Sequence, residues 1–137
     1  MIYNIAAKTH SSINLFRLDE NTFSILKYDE FALLMTGFDY TIINQQLVSV
    51  FDELMSNELE IRPIRILRRV TNEKWDEFFE LIVKEHIDID KIKIVDENER
   101  SVWQFDHHLF VSESMKNKIE RKFEGEFEFS EGFSHFG

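Results

Sequence analysis

The sequence predicts an α+β fold: a single domain in which a largely antiparallel or mixed sheet packs against about three helices. Three observations lead there. Two segments, IINQQLVSVFDELMSNELEIRPI and LFVSESMKNKIERKFEGEFEF, each read as a strand, a capped helix and a return strand. A third, NEKWDEFFELIVKEH, places Trp75, Phe78, Phe79, Ile82 and His86 at i, i+3, i+4, i+7 and i+11, the stripe of an amphipathic helix. Short apolar runs bounded by turn residues fill much of the remainder.

In chain order, Ile2 and Ile5 begin a strand, the polar stretch from Thr9 to Ser12 is a loop, and Ile13, Leu15, Phe16 and Leu18 form a second apolar segment. Asp19, Glu20 and Asn21 mark a turn, followed by two short elements, Thr22 to Leu26 and Phe31 to Met35. Gly37 interrupts the pattern before the first helix, expected near Asn44 to Met55. Leu59 to Leu67 alternates as a strand. Pro63, the single proline, has no amide to give a ladder and puts that strand at an edge or breaks it. The second helix is expected over Thr71 to His86, with Thr71 or Asn72 as its cap and His86 at its electronegative C-terminal end. Ile92, Ile94 and Val95 face Val102, Trp103 and Phe105 across a polar loop, a hairpin. The third helix runs from the Ser112 cap to Phe123 and is closed by Gly125, with Phe127 and Phe129 alternating beyond it.

The first and third of these helical segments are related. At a spacing of 68 residues Ile43 aligns with Val111, the Asn44 cap with Ser112, Leu47 with Met115, Phe51 with Ile119, Asn57 with Gly125, Leu59 with Phe127 and Ile61 with Phe129. The matched residues cap, turn or pack, so the duplicated strand-helix-strand unit reports architecture and not a reaction.

A chain of 137 residues with 14 phenylalanines has ample core material, and one domain of that size removes roughly two-thirds of its unfolded surface from water. Sixteen basic against 26 acidic residues leave a net charge of −10, which disfavours nucleic acid and anionic membranes as partners and favours a basic protein. The absence of cysteine excludes disulfides, thiolate metal sites and a thiol nucleophile. With no leader pattern and no apolar run of spanning length, the expected location is the cytoplasm. Arg62, Arg65, Arg68 and Arg69 form the one concentrated basic stretch; lacking interleaved aromatics, they are expected to pair with surplus carboxylates.

One cluster invites an enzymatic reading: Asp106, His107 and His108, residue types that bind divalent metals. In an extended strand the adjacent histidines point to opposite faces, so no metal site, catalytic residue or cofactor is expected. The sequence also lacks HExxH, GxGxxG, P-loop and GxSxG patterns. A small metal-dependent hydrolase-like enzyme using that cluster is the alternative, and an adaptor self-associating through the Pro63 strand is another.

In LFVSESMKNKIERKFEGEFEF and the earlier IINQQL and LEIRPI stretches, the chain resembles an immunity-protein family of bacterial polymorphic toxin systems. The resemblance covers under half of the chain. It implies a cytoplasmic, non-catalytic protein that binds and neutralises a cognate toxin domain. Expected contacts to a basic toxin are Glu73, Asp76, Glu77 and Glu80 on the long helix, or Glu124, Glu126 and Glu128 around the second return strand.

Overall fold

The computed structural model describes residues 2–9, 11–55, 58–84, 100–105 and 107–131. Among these are ten strands and two α-helices, so the fold is β-rich, and the expectation of one sheet packed on about three helices is corrected. There are two sheets. The smaller contains β1 (Ile2–Ala7), β8 (Val102–Phe105), β9 (His108–Ser112) and β10 (Phe127–Glu131), in the order β10-β1-β9-β8. The larger contains β2 (Asn14–Asp19), β3 (Thr22–Lys27), β4 (Leu34–Thr36), β5 (Thr41–Asn44), β6 (Leu59–Arg68) and β7 (Glu73–Val83), in the order β2-β3-β6-β7-β5-β4. The helices are α1 (Gln45–Phe51), continued by a 3-10 turn at Asp52–Leu54, and α2 (Glu113–Lys122).

The helix expected over Thr71 to His86 is instead strand β7. It pairs antiparallel with β6 on one side and β5 on the other, and both of its faces are covered. Phe79, Leu81 and Val83 face one core while Trp75 and Phe78 face another. A strand buried on both sides reads as a nearly unbroken apolar run, and FFELIV satisfies helical spacing by default. Asn72, taken as a cap, lies at φ 61 in the β6–β7 turn, the left-handed conformation asparagine tolerates in hairpin connections. His86 and the expected partner strand near Ile92 fall outside the described residues. Within them, β8 pairs with β9.

Both strand-helix-strand segments are present, with Asn44 Oδ1 accepting from the Gln46 amide at 3.0 Å and Ser112 Oγ from the Met115 amide at 3.2 Å. Such caps contribute about 1 kcal/mol each. Asn57 lies outside the described residues, whereas Gly125 has φ 79 as a left-handed helix end requires.

The repeat extends beyond the segments visible in sequence. Leu34 pairs with Ile43 as Val102 pairs with Val111, and Asn44 pairs with Phe78 as Ser112 pairs with Ile2. Ile61 pairs with Leu81 as Phe129 pairs with Ile5. Even the bonds at the unit ends coincide. The Asn44 amide donates to the Leu33 carbonyl and that of Ser112 to Ser101, each at 2.9 Å. The Lys84 amide donates to the Glu58 carbonyl and that of Lys8 to Glu126, again each at 2.9 Å. Each unit is therefore a four-stranded antiparallel sheet with one helix, β6-β7-β5-β4 and β10-β1-β9-β8, and the N-terminal strand β1 takes in the second unit the place β7 holds in the first. The units meet reciprocally, β1 against β4 and β7 against β8, which is the isologous arrangement of a two-fold pair.

Matched positions share one core: Leu34 and Val102, Ile43 and Val111, Leu47 and Met115, Phe51 and Ile119, Leu59 and Phe127, Leu81 and Ile5. What breaks the symmetry is the β2–β3 hairpin. It joins β6 in parallel only from Arg65 onward, so Pro63 pairs with β7 on one side and with no described strand on the other. This is a local edge of the kind a proline needs, just before the β6–β7 register shifts between Ile64 and Ile66, although β6 itself lies inside the sheet order. The outer strands of that sheet are β2 and β4. The hairpin folds back over the outer face of β6 and β7, burying Phe23 with Ile64, Ile66, Ile42 and Phe78. This curl lets Arg17 on β2 reach Glu80 on β7.

Candidate functional site

The concave surface that joins an apolar floor to acidic groups lies where α2 ends and β10 begins. α2 buries Met115 and Ile119, sets its charged side chains outward, and stops when Phe123 leaves helical geometry. The chain then turns through Gly125, and Phe127 re-enters the core at the start of β10. The result is a groove of about 880 Å³ with Phe123, Phe127 and Phe129 on its floor and Glu120, Arg121 and Glu124 on its rim. Phe123 and Phe127 stand edge to face with centroids 6.0 Å apart, a preferred aromatic geometry. Lys116 lies over Tyr3 at 4.9 Å and Phe129 at 5.5 Å, which fixes the neighbouring aromatic wall by cation–π attraction.

The helix cations near the groove are engaged within the chain: Lys116 pairs with Glu120 at 3.4 Å, and Arg121 donates to the Asn117 carbonyl at 3.4 Å. Lys118 bonds Glu53 at 2.8 Å and the Val50 carbonyl at 3.2 Å, and Lys122 bonds Ser49, tying α2 to α1. Glu124, by contrast, is exposed and makes no ion pair among the described residues. Glu126 is exposed at the entry to β10. Glu128 is exposed but projects from the opposite face of the strand to Phe127 and Phe129, so it lies away from the groove.

The other expected acidic group is dispersed, because a strand separates what a helix would have clustered. Glu80 is 5 % exposed and bound by Arg17, with Nη1–Oε1 3.0 Å and Nη2–Oε2 2.6 Å. Asp76 accepts from Arg65 at 2.8 Å, and Glu73 accepts from Thr71 at 2.7 Å with Arg68 nearby at 3.7 Å. Glu77 alone of the four is exposed without such a partner among the described residues. These contacts also account for most of the basic stretch. Arg62 bonds Glu60 at 2.9 Å and holds that carboxyl below the usual carboxylate range, and Asp76 raises Arg65 above the usual guanidinium value.

At the third candidate, His107 sits in the turn before β9, and its ring lies against that of His108 with centroids 4.4 Å apart. The opposite-face geometry expected of an extended pair is thus corrected, since the turn releases His107 from the strand's alternation. Asp106 lies outside the described residues. Among those described, no three His, Cys, Asp or Glu side chains gather as a metal site would require.

Sequence reasoning did not find the aromatic floor. Phe127 and Phe129 were legible as alternating strand residues, but their approach to Phe123 depends on the turn at Gly125. No helix among the described residues is long and apolar enough to cross a membrane. Compared with protein-family models, with curated proteins and with solved structures, the chain gives no match.

Proposed function

We propose that this chain is a non-catalytic binding protein that neutralises a basic protein partner, as an immunity protein does its cognate toxin domain. The observation that carries the reading is the groove between α2 and β10, an aromatic floor under Glu120, Arg121 and Glu124 in a chain of net charge −10. Aromatic residues in a partly enclosed surface supply most of the binding energy at protein interfaces, while rim carboxylates steer a basic partner and accelerate encounter. The resemblance of the C-terminal segment to polymorphic-toxin immunity proteins points to the same kind of partner, acting in the cytoplasm.

The test is the association rate with a basic toxin domain, sought among the genes beside this chain's own, measured at low and high salt. Reversing Glu120 and Glu124 to lysine is expected to slow association about tenfold at low salt, with the difference shrinking as salt screens it. Reversing Glu77 on β7 leaves the rate unchanged. Equal rates for wild type and the Glu120→Lys/Glu124→Lys variant at low salt remove the groove as the interface.

A further inference from the structure

A second cavity becomes informative through the internal repeat. It has a volume of about 200 Å³ and lies at the β1–β4 junction, beside the start of β9 and the segment before β4. The repeat supplies its own reference, since β7 meets β8 on the opposite side in the equivalent geometry. There Gln104 fills the junction and donates from Nε2 to Thr41 Oγ1 at 3.3 Å, and Val83 is 2 % exposed. The matched positions on the cavity side hold smaller side chains, Thr36 for Gln104 and Ala7 for Val83, while Ala6 stands where the other side has Ile82. Smaller side chains at these described positions thus accompany the cavity at one of two junctions built on the same strand pairing.

Its lining decides what would enter. Hydrogen-bonding groups come from Asn4, Thr9, Ser11, Thr36, Tyr40, His107 and His108, and the apolar part from residues such as Ile5, Leu34 and Leu109. Among the described lining residues there is no Asp, Glu, Lys or Arg, although 31% of the chain is charged. With both imidazoles neutral, a charged ligand placed there would lose hydration with no opposite charge among the described lining residues to replace it, whereas a neutral one needs only hydroxyl, amide and imidazole partners. For size, a cavity of ~150 Å³ takes up benzene in another protein, so this one accommodates a single ring with one small polar substituent.

We infer that the β1–β4 cavity is a binding site for a small uncharged molecule, a single planar ring bearing a hydrogen-bonding group. The site is separate from the groove at α2 and β10, and shares no lining residue with it.

The experiment, run at about pH 8, above the ordinary imidazole pKa, titrates the full chain with benzamide, phenol and 2-pyridone as neutral single-ring probes, and with benzoate and benzamidine as charged counterparts of the first. Binding is read from backbone amide shifts. At least one neutral probe is expected to give saturable shifts confined to Ala6, Ala7, Thr36, His108 and Leu109, with benzoate and benzamidine weaker than benzamide. Thr36→Gln and, independently, Ala7→Val refill the space as the other junction does. Each is expected to weaken the neutral probe by about tenfold or more while the thermal midpoint stays equal or rises. No saturable shift from any neutral probe, undiminished binding in both folded variants, or a preference for either charged counterpart would falsify the assignment.

Discussion

Replacing Arg17 by alanine is expected to destabilise the fold by about 3 kcal/mol, because it strands a carboxylate inside the protein. The Glu80 side chain is only 6% exposed and both of its oxygens accept from Arg17. The same guanidinium lies 4.6 Å over the Phe23 ring and donates to the Asp39 carbonyl at 2.9 Å, so it fastens the β4–β5 turn and the β2–β3 hairpin to β7. Glu80 raises the Arg17 pKa above its usual value chiefly through their hydrogen bonds, partly offset by burial, and Asp39 adds to the rise. Urea unfolding of Arg17→Ala measures the loss. Replacing both partners, as Arg17→Met with Glu80→Leu, is expected to recover most of it, since a buried pair exchanged for apolar groups is often neutral. A loss below about 1 kcal/mol for the single variant would show that Glu80 finds water or another donor.

Phe78→Ala is expected to cost about 3–5 kcal/mol, the usual range for emptying the site of a buried aromatic ring. Phe78 is 1 % exposed on the face of β7 that packs against the β2–β3 hairpin, and Phe31 lies 4.8 Å from it, centroid to centroid. Its neighbour Glu77 is exposed, and Glu77→Ala is expected to change stability by less than about 0.5 kcal/mol. This contrast between adjacent residues, measured by the same unfolding experiment, separates a core-facing ring from a solvent-facing carboxylate. Comparable losses for the two would contradict the placement of β7 between two cores.

Where structure depends on neighbours in sequence, the chain is readable. Asn44 and Ser112 announce caps through side chains that reach amides two or three residues ahead, and Gly125 announces a left-handed turn. Asp19, Glu20 and Asn21 form the turn between β2 and β3, with the Asn21 amide bound to Asp19 at 2.9 Å. β7 is not readable in that way. Its Phe, Ile, Val and Trp content suits a strand, yet the spacing suits a helix. What decides is burial on both sides by segments far along the chain, including the Arg17 that makes Glu80 tolerable inside. The register shared by the two units is likewise hidden, because the second unit borrows its fourth strand from the other end of the chain.

The same distinction applies to the sites. Glu124 was legible as an exposed acid beside a turn, but the three rings beneath it converge only after β10 pairs with β1 and α2 docks on their shared core. Glu73, Asp76 and Glu80 formed a plausible acidic face only while a helix held them together. On β7 they become separate intramolecular pairs.

Neutralisation by occupancy has a stoichiometric signature that catalysis lacks. For the proposed immunity role, the most direct measurement titrates the full chain into a toxin domain identified from the genes beside this chain's own and follows that toxin's activity. Inhibition should rise linearly and end at one equivalent, with the Glu120→Lys/Glu124→Lys variant shifted to higher concentration. Full protection at a small fraction of an equivalent, or none with excess chain, would contradict a protein that works by covering its partner.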